Sequence, residues 1–464
     1  DALEQNTTGT NLVAVGANAL DTNTTGSGNV AVGKDALQAN TTASHNIAVG
    51  QGAMYANTTG TRNTAVGANG TLTTNTEGDD NIAIGYVAMG ANTTGSNNVA
   101  VGGFSLDANT TGGDNTALGF NALSSNTTAS NNTAVGYNSL DANTTGADNT
   151  TVGEASMSDN TTGSNNCGFG VMSLLRNTTA DNNTAFGHSS LKENTTATGN
   201  TAVGADALGS NTTGHSNVSV GFAALYNHTT GIDNVAIGRD ALYTSTTASY
   251  NTAVGRSALT LLTSGSNNTA VGENCMRDIT SGGDNTAIGV GAGRSQTTGS
   301  NNTLLGHDAG TGNAPSGSIG AGSNIVCLGD NSVTSLFCAD TSISSSDSRD
   351  KTDVESFNIG LAWIEALRPV TYKWDRRTWY GSGVKGASDE IFGTPDGSKK
   401  RNKTHIGFLA QEALEVEKAN GYGSSNDDSL VVNLTEDGMS YGMKYERLVP
   451  ILVNAIKELS AKVT

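Results

Sequence analysis

One glycine recurs through most of the chain at a fixed interval. It stands at Gly16, Gly33, Gly50 and Gly67, and then from Gly85 to Gly306. Every step has the same length, from Gly16 to Gly33 and onwards, except a step longer by one between Gly67 and Gly85. Eighteen copies of roughly N-T-A-V-G-x-x-A-L-x-x-N-T-T-G-x-x result. So short a unit cannot close a hydrophobic core alone, so the copies must stack, each turn covering its neighbour's apolar face. Of 464 residues 60 are Gly, aromatics make 5% and charged residues 14%. That composition alone would suggest disorder, but a disordered chain holds no such register.

The positions within a copy have physical roles. The residue before the glycine is apolar (Val15, Ile84, Leu118, Phe169), and two before that stands Val, Ile, Thr or Cys. These alternate with Ala (Ala65, Ala100, Ala253) and with an Asn four before the glycine (Asn29, Asn63, Asn268). The alternation predicts a strand of four or five residues. Leu or Met stands four after the glycine in fifteen copies, such as Leu37, Met54, Leu140 and Leu208. N-T-T-G supplies the turn, because Asn and Gly tolerate left-handed backbone, and its Asn and Thr are expected to form ladders. Val and Leu are expected to line the core and Ala to face the other way. Because that Ala is almost never large, a seam against another chain is expected, hence a homotrimeric rod. Stacked at ~4.8 Å, eighteen turns would measure roughly 85 Å. The last two copies carry Gly293 and Gly310 in place of Leu, so the rod is expected to change geometry near residue 310.

The fold class that follows is mainly β. A β-roll or β-helix solenoid shaft covers residues 1–310, a junction 311–345, and an α+β domain ending in a helix 346–464. The two parts differ in charge: residues 1–345 carry −16 and the rest −2, with all three Trp (Trp363, Trp374, Trp379) in the latter. A total of −18 speaks against nucleic acid as a partner. No stretch approaches the ~20 apolar residues of a membrane span.

Several residues invite over-reading. Cys167 at a strand core position and Cys275 at an Ala position read as buried small residues, while the spacing of Cys327 and Cys338 permits a disulfide. No C-x-x-C is present, and neither a metal nor a cofactor is expected. His45, His188, His215, His228 and His307 read as surface residues. The twelve N-T-T triplets at the turn position are formal glycosylation sequons, but their spacing makes them turn residues. The Gly-rich string 289–293 imitates a nucleotide loop without the Lys-Ser/Thr that would follow. The shaft's acids (Asp35, Asp80, Glu154, Asp284) form no repeated pair, which disfavours a glycan-cleaving enzyme. The chain starts in mid-repeat with Asp1-Ala2-Leu3 and lacks an initiator Met, so it is expected to be the C-terminal piece of a longer fibre.

N-T-A-V-G-x-x-A-L resembles the repeats of trimeric autotransporter adhesin heads, which are parallel β-rolls in trimers; an interwoven triple β-helix is the alternative. The C-terminal part carries S-D-S-R-D-K (346–351), G-L-A-W-I-E-A-L-R-P-V-T-Y-K-W (360–374), H-I-G-F-L-A-Q-E (405–412) and Y-E-R-L-V-P-I-L-V-N-A-I-K-E-L (445–459). In that order these resemble the intramolecular chaperone of phage tail fibres and tailspikes, the peptidase S74 family. The resemblance implies a domain that trimerises the fibre, then cuts itself off once as a serine endopeptidase with a Ser–Lys dyad. By motif position the pair is Ser346 and Lys351, the scissile bond is Ser345–Ser346, and His405 and Gln411 support the site.

A Ser hydroxyl needs a base, and Lys serves only with a lowered pKa. Five residues apart, the two lie ~140° apart on a helix, so the segment must turn or the Lys must come from a neighbouring chain. The bland reading makes Ser346 a helix cap and Lys351 a solvated charge. Residues 440–464 read as a helix with Leu448, Leu452, Ile456, Leu459 and Val463 on one face and Pro450 in its first turns. That stripe faces sister helices in a trimer, or a core in a monomer. Residues 381–404 read as an exposed loop. Near-identical turns can slip by one whole copy at similar energy, so a clamp at one end has a clear use.

The functional expectation is a structural and adhesive phage tail fibre in the virion. Its partners would be two further copies of itself, a host-surface receptor (a glycan or outer-surface protein) and an upstream virion-attachment protein. The alternative is a bacterial surface adhesin or filament built from the same modules.

Overall fold

The structure, a computed structural model, describes residues 1–314, 316–333, 356–375, 395–425, 428–434 and 441–463. The chain divides into two units, residues 1–335 and 336–464.

The first unit is a solenoid with one strand per turn, from β1 (Val13–Val15) to β18 (Thr303–Leu305) and then β19 (Val326–Leu328). All nineteen form one parallel sheet in which each strand pairs with the next in sequence. The register is constant: Val13 faces Val30, Ala14 faces Ala31 and Val15 faces Val32, and so on up the stack. The strands are three residues long, shorter than the alternation predicts. The anchoring glycine ends each of β1 to β18 at a φ between 106° and 156°, as at Gly50 (135°) and Gly136 (139°). A Cβ on Gly136 would lie 2.5 Å from the carbonyl oxygen of Gly153 in the next turn. Both conditions exclude every other residue type and explain the unbroken series.

Two further residues per corner are left-handed. One stands two after the glycine, as in Asn18 and Asp35; the other is the Leu itself, with φ 50° at Leu37. Left-handed Leu is strained. Here the surroundings fix it: Leu37 is fully buried and its N–H donates to Ala53 O at 3.0 Å. Burying such a side chain contributes roughly 2 kcal/mol per turn.

The core corrects the expected facing. The middle residue of each strand, Ala in most turns, points into the single-chain core, and the Val, Ile, Thr and Leu on either side point out. Ala31, Ala48 and Ala134 are fully buried, while Val15 is 59% and Ile84 39% exposed. Ala is small because the left-handed Leu and the residue before it fill the narrow interior. At Gly168, an added Cβ would meet Ser156 Oγ at 2.8 Å, Ser173 Oγ at 3.1 Å and Met157 Cγ at 3.5 Å. The small Ala therefore gives no sign of a seam between chains. Cys167 likewise lies on an outward, half-buried position, contrary to its expected core site, whereas Cys275 and Cys327 are buried. Cys338 lies outside the described residues.

Asn holds the other walls. Asn40 Nδ2 donates to Asn23 Oδ1 (2.9 Å) and Ala43 O (3.0 Å), and Asn57 repeats this on Asn40 (3.0 Å). This is the ladder expected of N-T-T. The Asn four before each glycine forms a second one: Asn46 N donates to Asn29 Oδ1 at 2.9 Å, and Asn46 Nδ2 to Gly60 O at 2.8 Å. His228 takes an N-T-T ladder position and is fully buried, contrary to its expected surface place.

Near residue 310 the spacing lengthens but the sheet continues. Thr303 pairs with Val326, a longer step than any before it, within the stretch expected as a junction. The Leu lost at Gly293 and Gly310 is replaced from the strand: Leu304 reaches within 2.7 Å of a Cβ placed on Gly293 and 3.1 Å of one on Gly310.

The second unit contains α1 (Leu361–Ala366), β20 (Val370–Tyr372), β21 (His405–Gly407), α2 (Ala410–Ala419), β22 (Val432–Leu434), β23 (Tyr441–Met443) and α3 (Leu448–Val463). β20 pairs antiparallel with β21 and β22 with β23. Trp363, Leu367, Ala413, Val431, Leu448 and Ile451 make its core. The final helix starts at Leu448, later than residue 440, after β23 and a 3-10 turn at Tyr445–Arg447. Pro450 is its third residue, where no helical N–H is required.

Candidate functional site

Three of the four motif segments, 360–374, 405–412 and 445–459, meet in the second unit. Arg368, in A-L-R-P-V, donates from Nε to Glu412 Oε2 at 3.1 Å, and its Nη2 bonds the other oxygen. Glu412 closes the A-Q-E motif. The Arg368 guanidinium holds that carboxyl below its ordinary range.

β20 and β21 place Tyr372 opposite His405. The two rings stack, with centroids 5.6 Å apart, and Trp374 meets His405 edge-on at 6.2 Å. His405 thus belongs to an aromatic cluster. Gln411 lies in the first turn of α2 and is exposed. The two expected supporting residues stand on different elements. Ser345, Ser346 and Lys351 lie outside the described residues, as does most of the 381–404 stretch.

The G-F of the third motif is tied to the last one. Phe408 N donates to Tyr445 Oη at 3.2 Å, and a Cβ on Gly407 would sit 2.6 Å from that oxygen. Only glycine lets the hydroxyl approach. The last motif also seats the second. Glu458 Oε2 accepts from Leu361 N at 3.0 Å at the start of α1, and Asn454 Nδ2 donates to Phe357 O at 2.6 Å. A Cβ on Gly360 would collide with the Glu458 carboxylate.

Sequence reading missed Glu417. This fully buried carboxylate on α2 accepts from Val431 N (2.6 Å), Val432 N (2.9 Å), Leu430 N (3.2 Å) and Ser429 Oγ (2.8 Å). Four donors replace the water a buried charge would lose. The available signal was an acidic residue at the inward spacing of an amphipathic helix.

One face of α3 packs inward through Leu448, Ile451 and Ala455. The stripe read from sequence splits: Leu448 is buried, but Leu452, Ile456, Leu459 and Val463 are all exposed, at 43 to 81%. Val449 and Val453 widen this apolar face, leaving a large uncovered surface.

A parallel one-strand-per-turn solenoid followed by a small α+β region defines a fibre-like chain with a terminal module. Residues 346–422 match the family of peptidase S74, chaperone of endosialidase, and the chain carries that chaperone region at its C-terminal end. The shaft fits a protein of the tail-fibre or tailspike kind. No curated protein and no solved structure matches the chain.

Proposed function

We propose that the chain is the shaft and terminal chaperone of a homotrimeric phage tail fibre, extracellular in the virion, that adheres to a host surface. The observation that carries the reading is the chaperone match, which begins at Ser346, joined to a one-strand-per-turn solenoid. Two uncovered apolar surfaces support three copies associating. One is the outer face of α3. The other is the outward strand positions of the shaft, such as Val15, Leu118, Phe186 and Ile288. Among the described residues no helix is long and apolar enough to cross a membrane.

In this reading the C-terminal region joins three chains, aligns their shafts and then leaves. Ser346 Oγ attacks the Ser345 carbonyl while Lys351 takes its proton. The C–N bond breaks, the proton passes to the freed amine of Ser346, and an ester links Ser345 to the hydroxyl. Water cleaves the ester, giving a Ser345 carboxylate and restoring the hydroxyl. His405 and Gln411 act in support.

Intact mass of the wild type beside Ser346→Ala tests it. Two fragments divided at Ser345–Ser346 in the wild type and one whole chain of 46.9 kDa in the variant are expected. The uncut variant should scatter light as three chains. Two whole chains would remove the protease from the reading, and a monomeric variant would remove the trimer. Mixed trimers of Ser346→Ala and Lys351→Ala chains ask whether the Lys acts across chains; a wholly inactive mixture counts against it.

A further inference from the structure

Most positions of a turn repeat, but the residue just after the anchoring glycine does not. It is Lys34, Gln51, Tyr86, Glu154, His188 or Phe222 in different turns. It lies on a corner, outside the core and both Asn ladders, so chemistry can vary there without cost to the fold.

At one place this corner forms a cavity of about 510 Å³, within the range of small-molecule sites. Tyr226 and Tyr243 line it with rings 5.6 Å apart and 11° from parallel, forming one continuous aromatic wall. Phe222 is a third ring, and Asp206 and Asp240 supply carboxylates. Arg239 pairs with Asp240 (Nε to Oδ2, 3.2 Å) and lies over the Phe222 ring at 5.7 Å, so both groups are held before anything binds. Between Asp206 and Asp240 the left-handed position holds the small Ala223, where nine of the other turns hold Asn or Asp.

We propose that this cavity binds a neutral saccharide. Aromatic walls cover the apolar C–H faces of a pyranose, and fixed carboxylates accept from its hydroxyls through charge-assisted hydrogen bonds. Two carboxylates in a shaft segment of charge −16 repel anionic ligands, which excludes acidic sugars and nucleotides from the class. The inference needs only the shaft and holds or fails apart from the chaperone reading.

The test is saturation-transfer NMR on the full chain, using the methyl glycosides of glucose, galactose, mannose and N-acetylglucosamine, with methyl sialoside as the anionic probe. At least one neutral glycoside should receive saturation at millimolar concentration, and more than the sialoside does. Tyr226→Ala with Tyr243→Ala should weaken binding tenfold or more, while Tyr55→Ala, an exposed ring elsewhere, should leave it unchanged. Ala223→Asn guards against misfolding. The repeat already accepts Asn at this position, where Asn18 Nδ2 donates to Asp35 Oδ1 of the next turn at 2.8 Å. Asn at 223 fills the cavity beside Asp240 and should abolish binding with the thermal transition unchanged. Three results would overturn the proposal: no neutral glycoside registers, the sialoside binds more tightly, or Ala223→Asn binds as the wild type does.

Discussion

His228→Asn should stabilise the shaft. In the N-T-T ladder each Asn accepts from the next, but the series stops where His228 takes the place of Asn. Asn211 Nδ2 still donates to Asn194 Oδ1 (3.0 Å) and Gly214 O (2.9 Å), and its own Oδ1 is buried with no partner. His228 cannot supply one. Its Nε2 donates to Gly231 O at 2.8 Å, which places the proton there, and Nδ1 accepts from Ser245 Oγ at 3.2 Å. An Asn would donate to both Asn211 Oδ1 and Gly231 O and accept from Ser245. Satisfying one orphaned acceptor is worth about 1–3 kcal/mol. A second term depends on pH. Burial pushes the His228 pKa down, and the bond to Gly231 opposes this in part. The unfolded chain therefore binds the proton more readily. The wild-type turn keeps its full stability above pH ~6.5 and loses it as pH falls below that, by at most about 2 kcal/mol at pH 5. His228→Asn removes the loss. In a quasi-linear array the effect stays local, so the assay is amide exchange of peptides spanning residues 225–250 at pH 8 and pH 5. The variant should exchange more slowly at pH 8, with the gap wider at pH 5 once intrinsic rates are divided out. Equal protection at pH 8 would refute the orphaned-acceptor argument. A gap that does not widen would refute the buried neutral imidazole.

Gly136→Ala should destabilise the turns around it by about 3 kcal/mol, since it forces a glycine-only backbone and a 2.5 Å approach to Gly153 O; loss of amide protection near those turns alone checks it. Glu417→Gln leaves one acceptor oxygen for four donors and should cost about 3 kcal/mol. Tryptophan fluorescence reads this without interference from the shaft, because every Trp lies beyond residue 346. The Asp428 carboxyl should titrate near pH 2, because Ser424 and Ser425 donate to its charged form. Its support of that turn is complete above the ordinary carboxyl value and is lost as pH falls through about 2, and Ser424→Ala should raise the midpoint in a carbon-detected NMR titration.

The stacking, the turn chemistry and the order of the C-terminal motifs were legible because each rests on spacing. The inward face was not. Strict alternation names two faces without saying which is dry, and so short a strand has a single central residue to bury. What decides is the volume left by Leu37 and its equivalents, and that depends on a left-handed Leu that propensity would not suggest. Paired changes carried the missing signal. Where the strand centre is Thr151, the opposing position is Ser139, and their hydroxyls bond at 2.7 Å. At Gly168, Ser156 and Ser173 share a bond of 2.8 Å. Such couples place the strand centre against the position before the Leu, inside the core. His228 could also have been read as buried, since H-T-T stands where N-T-T recurs. In the C-terminal region the motifs gave Arg368 and Glu412 as neighbours in a pattern but not as a pair, because their contact joins two distant segments of the chain.

The same paired changes bear on how a repetitive shaft finds its register. From the first turns to Asn211 the N-T-T ladder offers one interchangeable rung after another, and a slip by one whole copy replaces each Asn bond with an equal one. Beyond Asn211 the rungs differ. His228 meets Ser245, then Leu262 and Ile279 form an apolar pair of rungs, and Gln296 Nε2 donates to Asn285 Oδ1 at 2.9 Å. Leu304 fits only where Gly293 and Gly310 have vacated the core. Slipping these turns by one copy would set Leu262 against the Gln296 amide or drive Leu304 into Met276, at the cost of buried unpaired groups or overpacking. Register is therefore encoded most strictly in the turns that adjoin the chaperone region in sequence. If the C-terminal region clamps chains together as proposed above, the stack starts where the turns cannot be confused, and the interchangeable turns inherit a register they do not specify themselves.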